Sequence, residues 1–220
     1  MLEVLSSVVI GWRALLVEKP VKMGKVTKPL SFLLLGLLFL GCGNQQPSEK
    51  KIIPIEEAIR IELKKPEGEL TQADYQNVKK LMINNFGRQV KDITLVGELT
   101  NLEVLAFAGG DISDPTPLTK LTKLRSLEIS DCGLKNFSSL TVMNALEELT
   151  ASNNQVSDLS SLKGLKKLRV LALNDNRIED TSPLLGLKSL EWVNLMSNPI
   201  SKKTIGDLKK ALPKCKIVHD

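Results

Sequence analysis

Few side chains in this sequence have the type and spacing needed for acid–base or metal chemistry. The chain has one histidine, His219, which stands one residue before the end of the sequence. A single histidine excludes the usual multi-histidine metal sites and leaves little room for a histidine-based catalytic triad. We therefore expect no metal, no cofactor and no enzymatic activity.

The three cysteines, Cys42, Cys132 and Cys215, are odd in number and form no CxxC pair. Neither a zinc site nor a disulfide framework is indicated by this spacing. The carboxylates Glu128 and Glu148 are the remaining candidates, since paired carboxylates can act as acid and base. Because no histidine or metal-ligand cluster accompanies them, we interpret the pair as a solvated acidic strip.

The charge balance is mild, with 30 basic and 25 acidic residues giving a net charge of +5. Several of the lysines precede the apolar run at residues 30–40, and the rest of the chain is nearly neutral. Charge therefore does not point to nucleic acid as a partner. The apolar fraction of 42% can supply a core, but with 4% aromatic residues that core must be aliphatic.

Residues 30–40 read LSFLLLGLLFL, an uncharged run of eleven residues that Gly41 and Cys42 follow. A helix needs roughly 20 apolar residues to cross a bilayer. The run is therefore short for a span and fits a signal-peptide core, with Lys25 and Lys28 as its basic flank. The run with its Gly-Cys resembles the lipobox of bacterial lipoproteins, which implies cleavage before Cys42 and attachment of diacylglycerol to its thiol. An uncleaved hydrophobic anchor is the alternative.

The leader is predicted to cover residues 1–41, with the true signal peptide at 23–41. Met23 opens an ordinary signal sequence, whereas residues 1–22 contain Glu3 and Glu18 and do not fit one. Residues 42–52 are polar and lack apolar periodicity, so we expect a flexible tether there.

Residues 78–200 are organised by an internal repeat. Five segments, each 22 residues after the last, begin at Leu99, Leu121, Met143, Leu165 and Leu187. Apolar residues recur in register, for example in the column Leu105, Leu127, Leu149, Leu171 and Val193. In the LxxLxL pattern the last two leucines alternate, which is strand spacing. One repeat buries too little apolar surface to fold alone, so the layers must stack.

After each strand the chain must bend, and the repeat shows the position of the bend. Asn154, Asn176 and Asn198 occupy the bend in successive repeats, where an amide can satisfy unpaired backbone groups. Cys132 takes this position one repeat earlier. We therefore predict a structural turn ladder formed by Cys132, Asn154, Asn176 and Asn198.

The segments LTNL, NQVSDLSSLKGL and DTSPLLGL resemble the 22-residue repeats of internalin-like bacterial leucine-rich-repeat proteins. The resemblance implies an α/β fold, a right-handed solenoid with a parallel concave sheet and a 3₁₀ or irregular convex side. Because cysteine is a familiar substitute at the bend in this family, the resemblance also implies that Cys132 is a buried thiol rather than a nucleophile. Six strands are predicted near residues 80–82, 104–106, 126–128, 148–150, 170–172 and 192–194.

Both ends of the solenoid need caps, because a bare end exposes core and strand edge. We predict a helical cap at residues 53–77 and a helix–strand cap at 201–220, with two extra residues bulging near 85–88. Cys132 and Cys215 fall at least three layers apart, about 14 Å at about 4.8 Å per strand. A disulfide tolerates Cα separations under about 7 Å, so we expect none.

Residues between the leucines should face the concave surface and contact a partner. The candidate partner-binding residues are Met82, Val104, Glu128, Glu148, Val170, Trp192, Asn194 and Met196. Trp192 beside Met196 is a suitable interface anchor; alternatively, Trp192 folds against the terminal cap.

The sequence predicts a non-catalytic, monomeric protein–protein interaction module. Its partner would be an unidentified protein, and a lipid at Cys42 would hold it in the membrane of the cell envelope. A cytoplasmic scaffold or phosphatase-type regulatory subunit is the first alternative, and an enzyme the second.

Overall fold

The computed structural model describes residues 55–83 and 92–220. The predicted leader, the lipidation residue Cys42, the tether and the bulge near residues 85–88 lie outside the described residues. Within the described part, seven strands form one sheet in which the spatial order follows the chain order.

All neighbouring strands of the sheet pair in parallel. The strands are β1 Lys80–Ile83, β2 Val104–Ala108, β3 Ser126–Ser130, β4 Glu148–Thr150, β5 Val170–Ala172, β6 Trp192–Asn194 and β7 Lys216–Val218. The register aligns Leu105 with Leu127, Leu127 with Leu149 and Leu149 with Leu171. The six predicted strands and the parallel sheet are confirmed.

Each of the five return segments between β1 and β6 contains a short 3₁₀ helix on the convex side. These helices are Thr94–Glu98, Thr116–Lys120, Ser138–Leu140, Ser160–Leu162 and Ser182–Leu184. An acidic or amide side chain two residues upstream accepts the backbone N–H that opens the helix, as Asp158 does from Ser160 at 2.8 Å. The convex side therefore has the predicted 3₁₀ character, and the solenoid fold is confirmed.

The core is one continuous, mainly aliphatic cluster that runs through every layer. Leu105, Leu149 and Leu171 are fully buried, as are the convex-side leucines Leu118, Leu162 and Leu184. Phe107 and Phe137 are the largest buried side chains of the described residues. Because each layer covers the apolar faces of its neighbours, burial rises with every repeat added.

Two helices precede the sheet. Helix α1 spans Ile55–Leu63 and buries Ile55, Ala58 and Ile59, and helix α2 spans Gln72–Asn77. The Thr71 side chain accepts the N–H of Asp74 while the Asp74 carboxylate accepts the N–H of Thr71, which is a capping box. These helices lie against β1 and the first 3₁₀ helix and shield that end of the core.

Helix α3, Lys202–Ala211, follows the last full repeat and buries Ile205 and Leu208. The Ser201 hydroxyl caps its amino end, and the chain then passes Pro213 into β7, which pairs with β6. Among the described residues, no helix has the length and apolar character needed to cross a membrane.

Candidate functional site

The concave face consists of three rows of side chains that cross the strands. Because strand residues alternate between faces, every second position points away from the buried leucines. The first row is Lys80, Val104, Ser126, Glu148, Val170, Trp192 and Lys216, and the second is Met82, Ala106, Glu128, Thr150, Ala172, Asn194 and Val218. The repeat spacing adds a third row of Ala108, Ser130, Ser152, Asn174 and Met196. All eight candidate binding residues fall in these rows.

Small side chains form the floor of the concave face. Ala106, Ser130 and Ala172 retain 7%, 7% and 4% of their exposure although they point toward the open side. Larger residues of the same rows, such as Met82 at 40%, remain accessible. A partner that enters the trough can therefore approach the sheet closely at its centre.

The two carboxylates lie diagonally across β3 and β4, as the repeat register predicts. Glu148 is aligned with Ser126, whose hydroxyl donates to Oε2 of Glu148 at 3.2 Å, and Glu128 is aligned with Thr150. Both glutamates are half-buried. Within residues 55–83 and 92–220, no cluster of three or more histidine, cysteine, aspartate and glutamate side chains is suited to a metal ion.

An apolar patch, formed by Val170, Trp192 and Met196, adjoins the carboxylates on the side nearer the carboxyl end of the solenoid. Val170 is aligned with Glu148 on one side and Trp192 on the other, and Trp192 is aligned with Lys216 of the cap strand. Val170, Trp192 and Met196 are all half-buried. Trp192 therefore presents part of its ring to the concave face while the rest is covered.

A polar network joins the carboxyl ends of β4, β5 and β6. Oδ1 of Asn174 accepts from the Ser152 hydroxyl at 2.7 Å and from Nδ2 of Asn194 at 3.2 Å. Oδ1 of Asn194 in turn accepts the N–H of Met196 at 3.1 Å. Asn194 is only 7% exposed, so it supports this part of the face and offers a partner little surface of its own.

At the bends that follow β4, β5 and β6, Asn154, Asn176 and Asn198 form a ladder of amide side chains. Nδ2 of Asn176 donates to the carbonyls of Ala151, Leu173 and Asn174 at 3.0, 3.1 and 3.3 Å. Its Oδ1 accepts the N–H of Val156 at 3.1 Å. Each amide thus ties its own bend to the preceding repeat and fixes the strand that carries the concave residues.

Cys132 occupies the ladder position one repeat before Asn154. Its Sγ donates to the carbonyl of Ser130 at 3.2 Å, and the residue is fully buried. Burial raises the pKa of the Cys132 thiol to about 12. Cys132 and Cys215 are both free. A thiol held protonated in this way is a poor nucleophile.

The lateral edge, at the residue before each of the strands β1 to β6, carries alternating charges that were not predicted from the sequence. Ion pairs join Lys79 to Glu103 at 3.5 Å, Arg125 to Glu147 at 2.8 Å and Arg169 to Glu191 at 2.9 Å. The signal was present as a sign change from each repeat to the next at this position, with a spacing of 24 residues from Lys79 to Glu103 and of 22 residues after that. These pairs neutralise the edge beside the concave face.

The sequence and the fold are similar to those of known leucine-rich-repeat proteins. Residues 144–186 match the family Leucine Rich repeats (2 copies). No curated protein sequence matches the chain.

Three solved structures illustrate the likeness. An internalin from Listeria monocytogenes has 25% identity and a TM-score of 0.58, over 74% of this chain and 53% of its own. Internalin C2 from the same organism has 28% identity and a TM-score of 0.59, over 76% of this chain and 84% of its own. A leucine-rich-repeat protein from Leptospira interrogans has 31% identity and a TM-score of 0.59, over 66% of this chain and 38% of its own. The chain thus spans about half of the first internalin and less of the Leptospira protein.

Proposed function

We propose that this protein is a cell-envelope lipoprotein whose leucine-rich-repeat solenoid binds a protein partner through its concave face. The leucine-rich-repeat fold is typical of protein–protein interaction modules. The observation that carries the proposal is the composition of the concave face. A floor of small residues, a central pair of carboxylates and the half-buried Trp192 lie together on one parallel sheet.

The chemistry of this face supports binding rather than catalysis. Glu128 and Glu148 lie in an open trough with no histidine beside them, and the Cys132 thiol is buried with its pKa raised to about 12. An open surface of mixed polar and apolar side chains with an aromatic anchor is the usual composition of a protein interface.

Membrane attachment is proposed from residues 30–42. Lipidation of Cys42 with at least two acyl chains gives stable anchoring, whereas a single chain binds only marginally. The solenoid would then sit at the membrane surface at the end of the tether.

Metabolic labelling with a fatty acid tests the anchor. The wild-type protein should take up label and fractionate with membranes, whereas Cys42→Ser should take up no label and accumulate as the longer, uncleaved precursor. Equal labelling of Cys42→Ser would refute the anchor.

Affinity capture of the tagged full chain from detergent-solubilised membranes tests the face. Thr150 lies at the centre of the concave face, whereas Thr141 is exposed on the convex side. Thr150→Tyr should abolish recovery of the partner, and the matched control Thr141→Tyr should retain it. Equal recovery with both variants would place the binding surface elsewhere.

A further inference from the structure

We infer that a row of lysines beside the lateral edge, near the carboxyl end of the solenoid, contacts the surface of an anionic lipid bilayer. This basic edge consists of exposed lysines from the last two repeats and the cap: Lys166, Lys167, Lys188, Lys209, Lys210 and Lys214. The inference rests on the proposed function, because a lipid at Cys42 would keep the solenoid close to a bilayer. It adds a second contact with that bilayer and defines which side of the solenoid faces it.

Charge is distributed unevenly along the solenoid. Residues 55–164 contain 16 acidic and 12 basic residues, whereas residues 165–220 contain 6 acidic and 11 basic residues. The chain beyond the leader is nearly neutral only because an acidic amino-terminal part offsets a basic carboxyl-terminal part. A positive surplus confined to one part of a domain indicates binding to an anionic surface.

The topology places the surplus lysines along one side of the molecule. Lys167 comes three residues before β5, Lys188 four before β6 and Lys214 two before β7. Because these strands are parallel, all three lysines lie at the amino ends of the strands. Nζ of Lys188 also donates to the carbonyl of Ala211 at 2.9 Å, which brings the last turn of α3, with its two lysines, to the same side.

Most of the charge on the basic edge is not neutralised within the protein. Of its six lysines, only Lys210 forms an ion pair within the described residues, with Asp207 at 3.7 Å. Glu191 is paired with Arg169 at 2.9 Å. The other acidic residues of the range 165–220 come after β5 or β7 in the chain and so lie away from the amino ends of the strands. A positive strip therefore remains.

The residue type favours a bilayer over a ligand of fixed shape. Lysine carries a point charge on a flexible stem, which suits an array of mobile headgroups, whereas the arginine fork suits one fixed phosphate or carboxylate. Arg169 already donates from both Nε and Nη2 to the Glu191 carboxylate at 2.9 Å each. The groups left to act at this edge are therefore lysines, each of which strengthens contact with an anionic surface about fivefold.

The length of chain between the proposed anchor and the solenoid allows this contact. Residues 43–54 separate Cys42 from Ile55, the first residue of α1, and they span at most about 45 Å when fully extended. An anchored solenoid thus meets the bilayer at a high effective concentration. With the basic edge against the bilayer, the strands run away from it, and the concave face stays open to a partner.

Lysine acylation in reconstituted vesicles tests the inference. The full chain, purified from membranes in detergent, is reconstituted into phosphatidylcholine vesicles with and without about one third phosphatidylglycerol. It is then treated briefly with an N-hydroxysuccinimide ester of acetate, and peptide mass spectrometry measures the modification of each lysine. The basic edge should react at least about threefold more slowly in the anionic vesicles, and the difference should disappear at about 0.5 M salt. Lys135 and Lys163, exposed lysines outside the edge, should react equally in both.

Charge removal identifies the lysines responsible. The double variant Lys167→Gln with Lys214→Gln should weaken the contact about tenfold or more, which abolishes the protection of Lys188. The matched control Lys135→Gln with Lys163→Gln removes the same charge from exposed positions outside the edge and should leave that protection unchanged. Circular dichroism of each variant shows that the fold is retained.

The outcomes separate the inference from the proposed function. Flotation of the chain with neutral vesicles reports membrane attachment that is independent of the basic edge, and its failure would contradict the anchor and the inference together. Equal acylation in both kinds of vesicle, from a chain that floats with both, would overturn the inference alone. Protection by soluble polyphosphate but not by anionic vesicles would also overturn it, in favour of an anionic polymer.

Discussion

Asn154 and Cys132 occupy the same position in consecutive repeats, and the amide of Asn154 is hydrogen-bonded to the backbone of the Cys132 repeat. Oδ1 of Asn154 accepts the N–H of Cys132 at 3.2 Å and that of Leu134 at 3.0 Å, while its Nδ2 donates to the carbonyl of Ile129 at 2.9 Å. One side chain thus satisfies backbone groups on both sides of the bend. These groups lie in the interior, where water cannot take the place of the amide.

Asn154→Ala should lower the free energy of unfolding by about 2–4 kcal/mol, because buried backbone groups then lose their partners at about 1–3 kcal/mol each. Urea denaturation measures the change. Asn144→Ala, at an exposed position, is the control and should change stability by less than about 0.5 kcal/mol. Similar small effects from both variants would contradict the role assigned to the ladder.

Leu149→Ala should cost about 2–5 kcal/mol, since Leu149 is fully buried and has a core layer on each side. Its loss also weakens both adjacent layers, so the unfolding transition should remain cooperative. Val142→Ala, at a residue 37% exposed, is the control. A cost below about 1 kcal/mol for Leu149→Ala in chemical denaturation would argue against continuous stacking.

The aspartates that accept the first backbone N–H of the convex 3₁₀ helices should make stability fall in acid. The Ser160 hydroxyl and N–H hold the pKa of Asp158 below its usual value, and Thr116 acts in the same way on Asp114. A depressed folded-state pKa contributes stability above the unfolded value of about 3.9, and this is lost as pH falls through the folded value.

Asn136 occupies the same turn position and accepts the Ser138 N–H at 3.0 Å without titrating. Asp158→Asn should therefore leave the melting temperature at pH 7 nearly unchanged and reduce its loss between about pH 4 and pH 2. Melting curves over this range measure the effect. An acid loss identical to that of the wild type would show that Asp158 does not contribute.

Cys132 should resist alkylation in the folded protein. Burial raises the pKa of Cys132 to about 12 and that of the half-buried Cys215 to about 11, so neither is a thiolate at neutral pH. Iodoacetamide labelling followed by peptide mass spectrometry should modify Cys215 slowly and Cys132 only on unfolding. Rapid labelling of Cys132 in the native protein would contradict its buried placement.

The strands and the identity of the concave residues could be predicted because the 22-residue period fixes which positions alternate toward the core. The sequence could not show that Asn194 is buried. Its exposure depends on the orientation of the two groups that it contacts, the Asn174 amide and the Met196 N–H. It also left the placement of Trp192 open, because its register partner Lys216 comes from the cap strand rather than from a repeat. The strand pairings set by the 22-residue period were predictable. Contacts that depend on side-chain orientation or on the cap strand were not.

Site-specific photo-crosslinking in cells shows directly whether a protein partner binds on the concave face. A benzophenone amino acid at Thr150, on the concave face, should form a covalent adduct of higher mass with a partner protein. The same probe at Thr141, exposed on the convex side, should form none. Adducts from Thr141 alone, or equal adducts from both positions, would contradict recognition through the concave sheet.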